Sequence, residues 1–503
     1  MVNPPYRRLM GVGSPYFPIG LGYLAAVLEK AGYEVKIYNG EVSRSSMPHD
    51  MPRGEEKSRY PHKGGDFSAI MSAHQLYLKN LEDKDFFVWQ EFKKSLAEFN
   101  PDLVGITART PMLNSAIKAG QLIKEWKKSC PIVWGGSHPT IMSEEIISRP
   151  EADFLVYGEG ECSLLDLVRA IEGGQKDYSN ARGIYYKDSN GGVIKNEPRE
   201  YIKNLDELPL PARHLVFKDD LYVPGAYADL MGSRGCPFLC TYCSAQSMWG
   251  RQLRYRSVAD VIKEIKVLKN DYHCEIIRFI DDNLTLDRQW LEDLCQAIID
   301  EKIDIKWGCL SRVNLIDENI LKLMIKAGCY RIDIGVESGS PRILKMMKKE
   351  IKLADVLRAD KLFDKYGIDW TAFFITGFPY ETTEDLKMTA DFMKQINPYR
   401  LVLSNFTPYP GTEDYERAEE LGVLPFDFAR GKPQIDWGLY DHNSPNNFFM
   451  KNVGREEYYD FFNRLSDYVS LRNTHRIRGR ELYYLKNPVS LLRKVARFVE
   501  KRI

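Results

Sequence analysis

Apolar runs of strand length, each ending in a polar or glycine-rich turn, alternate with amphipathic stretches of helical period in two separate blocks. Few folds accommodate that order, because a strand apolar on both faces must be covered by helices on both sides. In residues 1–175 the pattern passes through "PIGLGYLAAVLEKAGYEVKIYN" (18–39): a helix, a glycine stop and a short buried strand. "PDLVGITAR" (101–109), "CPIVWGG" (130–136) and "ADFLVYGEGE" (152–161) are further strands, with helices expected over 113–128 and 163–172. This α/β pattern predicts a doubly wound, Rossmann-like parallel sheet whose ligands sit at the carboxyl ends of its strands. Only Met1 and Val2 precede "NPPY", so either the edge strand is very short or the start is late. Residues 40–100 read as an insertion, polar over 43–66 and helical over 68–99, functional or mobile rather than part of the basic sheet.

Residues 176–228 read as a linker, with a turn at "KDSNGG" (187–192) between short strands and a proline-rich "LDELPLPAR" (205–213). The second block, 229–425, holds six strand–helix units. Its strands begin at "YADLMGSRG" and continue at 276–282, 306–313, 330–338, 369–378 and 400–408. Helices are expected at 257–270, 287–301, 317–327, 340–346, 353–366 and 382–396. Six units rather than eight predict a partial (β/α)6 barrel, open on one side. Residues 426–503 form a small C-terminal region, aromatic and mostly helical. From Arg472 to Ile503 there are ten Lys/Arg against two Asp/Glu, and "NPVSLLRKVARFVEKRI" (487–503) spaces its apolar residues as a helix does. Such a helix can make peripheral contact with an anionic membrane or dock on its own barrel.

Lys+Arg and Asp+Glu are balanced at 70 each, so no nucleic-acid partner is expected. No apolar run is long enough to span a bilayer, and "MVNPPYRRLMG" lacks the apolar core of a signal peptide. An odd count of nine scattered cysteines fits a reducing compartment, so a cytoplasmic location is expected.

Three of those cysteines crowd into "GSRGCPFLCTYCSAQ" (232–246). Chance would place a CxxxCxxC only about 0.003 times in a chain of this composition. Three thiolates in one loop can bind zinc, which prefers a fourth ligand, or hold three irons of a cubane and leave the fourth iron open. Neither Cys274 nor His273 has finger-like spacing from the trio, and the loop follows the first barrel strand, where barrel enzymes keep their chemistry. The cluster reading is favoured.

"CPFLCTYC" resembles the CxxxCxxC motif of the radical S-adenosylmethionine (SAM) superfamily, which also has a partial barrel. The resemblance implies that Cys236, Cys240 and Cys243 hold a [4Fe–4S] cluster whose open iron is chelated by SAM. Reductive cleavage of SAM then gives a 5′-deoxyadenosyl radical. Tyr242 would stack near the adenine, shield the cluster or simply pack the loop. Where the family often has a GGE-like turn for the SAM amino group, this chain has "FIDDN", so Asp281 and Asp282 are both candidates. "LSRV" offers Ser311 and Arg312, the arginine for the SAM carboxylate. "GVESGS" offers Glu337 and Ser338 for the ribose, and Gly377 in "TGFPYET" resembles the family's turn near adenine.

The first block lacks both GxGxxG and a P-loop. Its turns resemble those of the cobalamin-binding domain fused to one branch of these enzymes. "PIGLGYLA" supplies Pro18 and Gly20, "ITART" Thr107 and Thr110, and "WGGSHPT" Gly135, Gly136, His138, Pro139 and Thr140. "YGEGE" supplies Glu159, Gly160 and Glu161. Glycines let backbone lie flat against a corrin, and small polar groups can bond its amides. No histidine stands in a DxHxxG pattern, so His138 reads as a structural or tail-binding residue rather than a cobalt ligand.

The resemblance covers residues 1–425 and implies a cobalamin-dependent C-methyltransferase. Hydrogen abstraction from an unactivated carbon would be followed by methyl transfer from methylcobalamin, which a second SAM reloads. A non-methylating oxidation, cyclisation or rearrangement, as in the anaerobic porphyrin-ester cyclase branch, is the alternative. A methylthiotransferase fits worse, since only Cys130 and Cys162 precede the trio. A reading of another class is a non-catalytic, zinc-stabilised corrin-binding protein. The enzyme readings imply an electron donor such as flavodoxin or ferredoxin and a small-molecule or lipid substrate. Trp437, Tyr440, Phe448 and Phe449 would give its pocket an apolar or planar wall, or belong to an ordinary core.

Overall fold

The computed structural model describes residues 1–11, 16–42, 67–424 and 448–486, with only the helical backbone given for 67–72 and 475–486. The polar stretch 43–66, Trp437, Tyr440 and the basic tail 487–503 lie outside the described residues.

The first sheet contains β1 (Val2–Asn3), β2 (Tyr38–Asn39), β3 (Val104–Thr107), β4 (Ile132–Gly135), β5 (Phe154–Val156), β6 (Ile184–Lys187) and β7 (Val193–Lys195). Their order is β2-β1-β3-β4-β5-β6-β7. The first five strands run parallel, and the chain direction of winding reverses between β1 and β3, where doubly wound sheets bind ligands. Strand β1 is two residues long, yet it lies inside the sheet, paired on both sides, rather than at an edge.

Alternation along β4 separates two layers. Val133 faces the helices Ile19–Lys30 and Gly160–Glu172, while Ile132 and Trp134 face Phe87–Phe99 and Leu113–Trp126. Tyr77, Trp89 and Phe92 are fully buried in that second layer. The helical part of the expected insertion therefore belongs to the basic fold, because a crossover from β2 to β3 needs a covering helix. The expected linker differs too. Its hairpin, β6 and β7, pairs antiparallel onto β5 and extends the first sheet past residue 175.

The second sheet is parallel and runs in chain order: β8 (Asp229–Leu230), β11 (Ile276–Phe279), β12 (Lys306–Ser311), β13 (Cys329–Glu337), β14 (Asp369–Thr376) and β15 (Arg400–Asn405). All six expected helices occur, within a few residues of their expected bounds. Outward Ile332, Ile334 and Val336 pack beneath those helices, whereas inward Asp333, Gly335 and Glu337 line a cavity. A small antiparallel pair, β9 (Ser233–Arg234) with β10 (Arg254–Tyr255), brackets the cysteine loop.

The edge of β15 is covered by the helix Arg455–Lys486. There Asn473 accepts from the Leu401 N–H at 3.0 Å and donates to its carbonyl at 2.9 Å, completing hydrogen bonds an edge strand leaves open. Phe449 is buried against Phe378 and Phe406, an ordinary core position. No described helix is long and apolar enough to cross a membrane.

Candidate cofactor cavity

A single cavity of about 2060 Å³ runs from the carboxyl ends of the first sheet into the open barrel. One end is walled by Gly20, Thr107, Gly135, Gly136, Glu159 and Gly160, the other by Cys236, Cys240 and Cys243. The turns expected to hold a corrin and the loop expected to hold a cluster thus share one chamber.

The cysteine loop begins at Gly235, whose φ of +95° admits no ordinary side chain. It is pinned along its length. The Thr241 N–H donates to the Met347 carbonyl at 3.1 Å, the Thr241 hydroxyl to Asp414 at 2.5 Å, and Gln246 to the Phe238 carbonyl at 2.6 Å. Cys243 opens onto the cavity, and enclosure there pushes its thiol up to about 12 and raises that of Cys236, with Asp282 and Cys240 adding repulsion to both. The core cysteine Cys295 is raised as far, so the shift does not set the loop apart; what does is that three pinned thiols share one short loop on the cavity wall. Among the described residues no three His, Cys, Asp or Glu side chains converge on one metal ion. A cubane places each thiolate on a different iron and needs no such convergence.

The structure separates the two aspartates after β11. Asp281 is buried; it accepts from the Gly232 N–H at 3.1 Å and the Ser233 hydroxyl at 2.6 Å, and burial raises it to about 6. Asp282 is exposed to the cavity, raised by burial with no donor offsetting it. Asp281 fixes the strand end, whereas the Asp282 carboxylate lines the cavity.

Arg312 also lines the cavity, but its guanidinium grips the cysteine loop. It lies 3.5 Å from the Phe238 ring centroid and reaches the carbonyls of Lys349 and Glu350. Ser311 bonds Thr285 at 2.6 Å. Glu337 holds a left-handed φ of 68°, rare outside glycine, and accepts from Tyr242 at 3.0 Å and Lys349 at 2.7 Å. Tyr242 therefore bridges the loop to the end of β13. Lys349 carried no signal in the sequence.

Other expected residues lie off the cavity. Ser338 is buried against Thr389, and Gly377, φ +99°, packs against Tyr458 and Asn405. His138 is buried, bonds Thr110 at 3.1 Å and is held near 3 by burial and by Arg149. Thr140 accepts from the Gly158 N–H at 3.2 Å. These residues, with Pro139, brace the turns rather than face the chamber. No histidine lines it among the described residues.

Glu159 and Glu161 line the chamber, yet their carboxylates are engaged by Arg234 and Arg254 of the barrel. Burial opposes ionisation of Glu159, but Arg254 and Arg234 outweigh it and hold the carboxyl below its ordinary value.

The Radical SAM superfamily profile matches residues 230–393, and the B12 binding domain profile matches 73–168. An uncharacterized methyltransferase of Pyrococcus horikoshii is 32% identical over 424 residues, 83% of this chain and 82% of the relative. The chain belongs to the cobalamin-binding radical SAM family. It is therefore an enzyme with an iron–sulfur cluster, SAM and cobalamin as its cofactors. The anaerobic magnesium-protoporphyrin IX monomethyl ester cyclase of Rubrivivax gelatinosus is 31% identical over 349 residues, covering 68% of this chain. The match spans 62% of that cyclase's own length. The family fold recurs in the radical SAM methyltransferase TsrM from Kitasatospora setae, solved with cobalamin and [4Fe-4S] cluster bound. Its TM-score is 0.63 at 18% identity, covering 85% of this chain and 75% of that one.

Proposed function

We propose that this chain is a C-methyltransferase acting on an unactivated carbon. Cys236, Cys240 and Cys243 would hold the cluster, Asp282 the SAM amino group, and the glycine turns of the first sheet the corrin. Together the bound cofactors supply a 5′-deoxyadenosyl radical and a methyl group to one substrate.

The chain's own residues prepare the chamber. The Arg312 fork and Thr241 hold the thiols in place, and Glu337 with Lys349 ties the Tyr242 hydroxyl, and with it the loop, to the end of β13. A Cβ at Gly20, in the first turn of the helix Ile19–Lys30, would meet nothing within 4 Å, so that helix end leaves open space where a flat ligand can approach the backbone. With no histidine on the described lining, the protein offers the corrin no imidazole there.

The observation that carries the reading is the undivided cavity joining the trio to the turns. A substrate seated in it touches both cofactors, as methyl transfer after hydrogen abstraction requires. The likeness to the Pyrococcus horikoshii methyltransferase supports the same choice. A one-electron donor of the flavodoxin or ferredoxin type and a cytoplasmic setting complete the proposal.

The test is anaerobic reconstitution, then incubation with methyl-labelled SAM, reductant, cobalamin and cell extract. We expect about four iron and four sulfide per chain, and label in a methylated product. Deoxyadenosine without label transfer would favour the ring-closing chemistry named for the Rubrivivax gelatinosus relative. One zinc without sulfide would overturn the enzyme reading.

A further inference from the structure

Four buried charges join the two cofactor domains. Glu159 accepts from Arg234 at 2.9 Å, from Arg254 at 2.9 Å and from the Ile202 N–H at 2.7 Å. Glu161 accepts from Arg234 at 2.6 Å. All four side chains are at most 7% exposed. Arg234 also lies against Tyr23 and Trp249, and Arg254 against Tyr201.

The placement of these residues is specific. Glu159 sits between Gly158 and Gly160, both of which line the corrin side of the cavity. Arg234 closes β9, two residues before Cys236. One ion pair therefore stands between the glycine turn and the first cluster cysteine. Buried ion pairs add little net stability, because desolvation offsets their attraction. A planar arginine fork does fix distance and angle. The two domains also share an apolar core, from Leu21 and Val133 to Leu230 and Val261, but apolar packing is non-directional and sets no such angle.

Resting on the proposed function, we infer that Arg234, with Glu159 and Glu161, is a positioning clamp that sets the cluster-to-corrin separation. The two glutamates are not corrin ligands. Neither domain compensates these charges alone, so the clamp closes only when sheet and barrel dock in one relation.

The test uses the full chain, reconstituted with cluster and cobalamin, and measures the distance between cobalt(II) and the reduced cluster by pulsed dipolar spectroscopy. Wild type should give one narrow distribution. Arg234→Lys keeps the charge but loses the fork, and should broaden that distribution at least about twofold. Glu159→Gln should do the same while leaving cobalamin affinity within about twofold. Hydrogen exchange on the cofactor-free chain gives a second reading: Arg234→Lys should raise exchange in 157–161 and 232–236 together.

An unchanged distance distribution in Arg234→Lys would overturn the clamp. So would an affinity loss of about tenfold or more in Glu159→Gln at unchanged distance, which would make Glu159 a cofactor ligand. A wild type lacking cluster or corrin would instead sink the proposed function. Exchange would then decide the clamp: a rise confined to 232–236 would refute it.

Discussion

Arg312, at the end of the third barrel strand, lays its guanidinium 3.5 Å from the centroid of the Phe238 ring inside the cysteine loop. The same group reaches the Lys349 and Glu350 carbonyls, so it ties the loop to the segment after β13. A lysine keeps the charge but neither stacks nor forks. Arg312→Lys should cost about 1–3 kcal/mol of stability. Cluster loading should fall at least about twofold, since the thiols lose their support. Thermal unfolding of the cofactor-free chain and iron analysis after reconstitution check the two effects; normal loading would show that Arg312 does not hold the loop.

The first domain presents glycines of two kinds to the cavity, Gly136 after β4 and Gly20 in the first turn of the helix Ile19–Lys30. Gly136 has a φ of +101°, and a Cβ there would sit 2.7 Å from the Thr107 hydroxyl and 2.8 Å from the Ala108 carbonyl. Gly136→Ala should destabilise the chain by about 2–4 kcal/mol whether or not cobalamin is present. At Gly20 the added side chain enters the cavity instead. Gly20→Leu should fold normally and weaken cobalamin binding by about tenfold or more through exclusion. Urea titration and equilibrium dialysis separate the pair.

Asp281 and Asp282 are neighbours in different surroundings, and the proposed function gives only Asp282 a ligand. Asp281→Asn puts an amide donor against the Gly232 N–H or the Ser233 hydroxyl and should cost about 1–3 kcal/mol. Asp282→Asn touches no such contact and should leave stability within about 0.5 kcal/mol. Its effect should appear as a loss of about tenfold in SAM affinity, because a carboxylate facing a cationic ammonium has been neutralised. Calorimetric titration with SAM would sink this division of labour if the first variant lost affinity and the second did not.

The cysteine trio stood out because its three thiols fall within eight positions of one loop, and the barrel was legible because each strand and helix carries its own period. The two aspartates could not be told apart in "FIDDN", since that choice depends on a hydroxyl 48 positions away at Ser233. Arg234 and Arg254 meet Glu159 across 75 and 95 positions, and no local pattern records such a partner. Glu159 and Glu161 were visible as turn residues beside glycines, but which way their carboxylates point is decided by the docked barrel. The hairpin of β6 and β7 was legible as a turn between strands, not as part of the first sheet, because pairing with β5 is a tertiary event.

Glu381 makes the last prediction. It is fully buried, accepts from the Gly377 N–H at 2.6 Å and the Phe378 N–H at 3.0 Å, and burial raises its carboxyl to about 8. In the unfolded chain the same group titrates near 4.5. Between those two values the folded state holds a proton that the unfolded state has released, so stability falls as pH rises through this window. The loss is about 5 kcal/mol and levels off above pH 8. Glu381→Gln retains a carbonyl oxygen for both N–H donors and carries no proton to lose. The variant should therefore match wild type near pH 4.5 and exceed it at pH 8, with a shallower slope between. Urea midpoints of the cofactor-free chain at pH 5, 6.5 and 8 read this directly, and parallel slopes would exclude Glu381 as the titrating group.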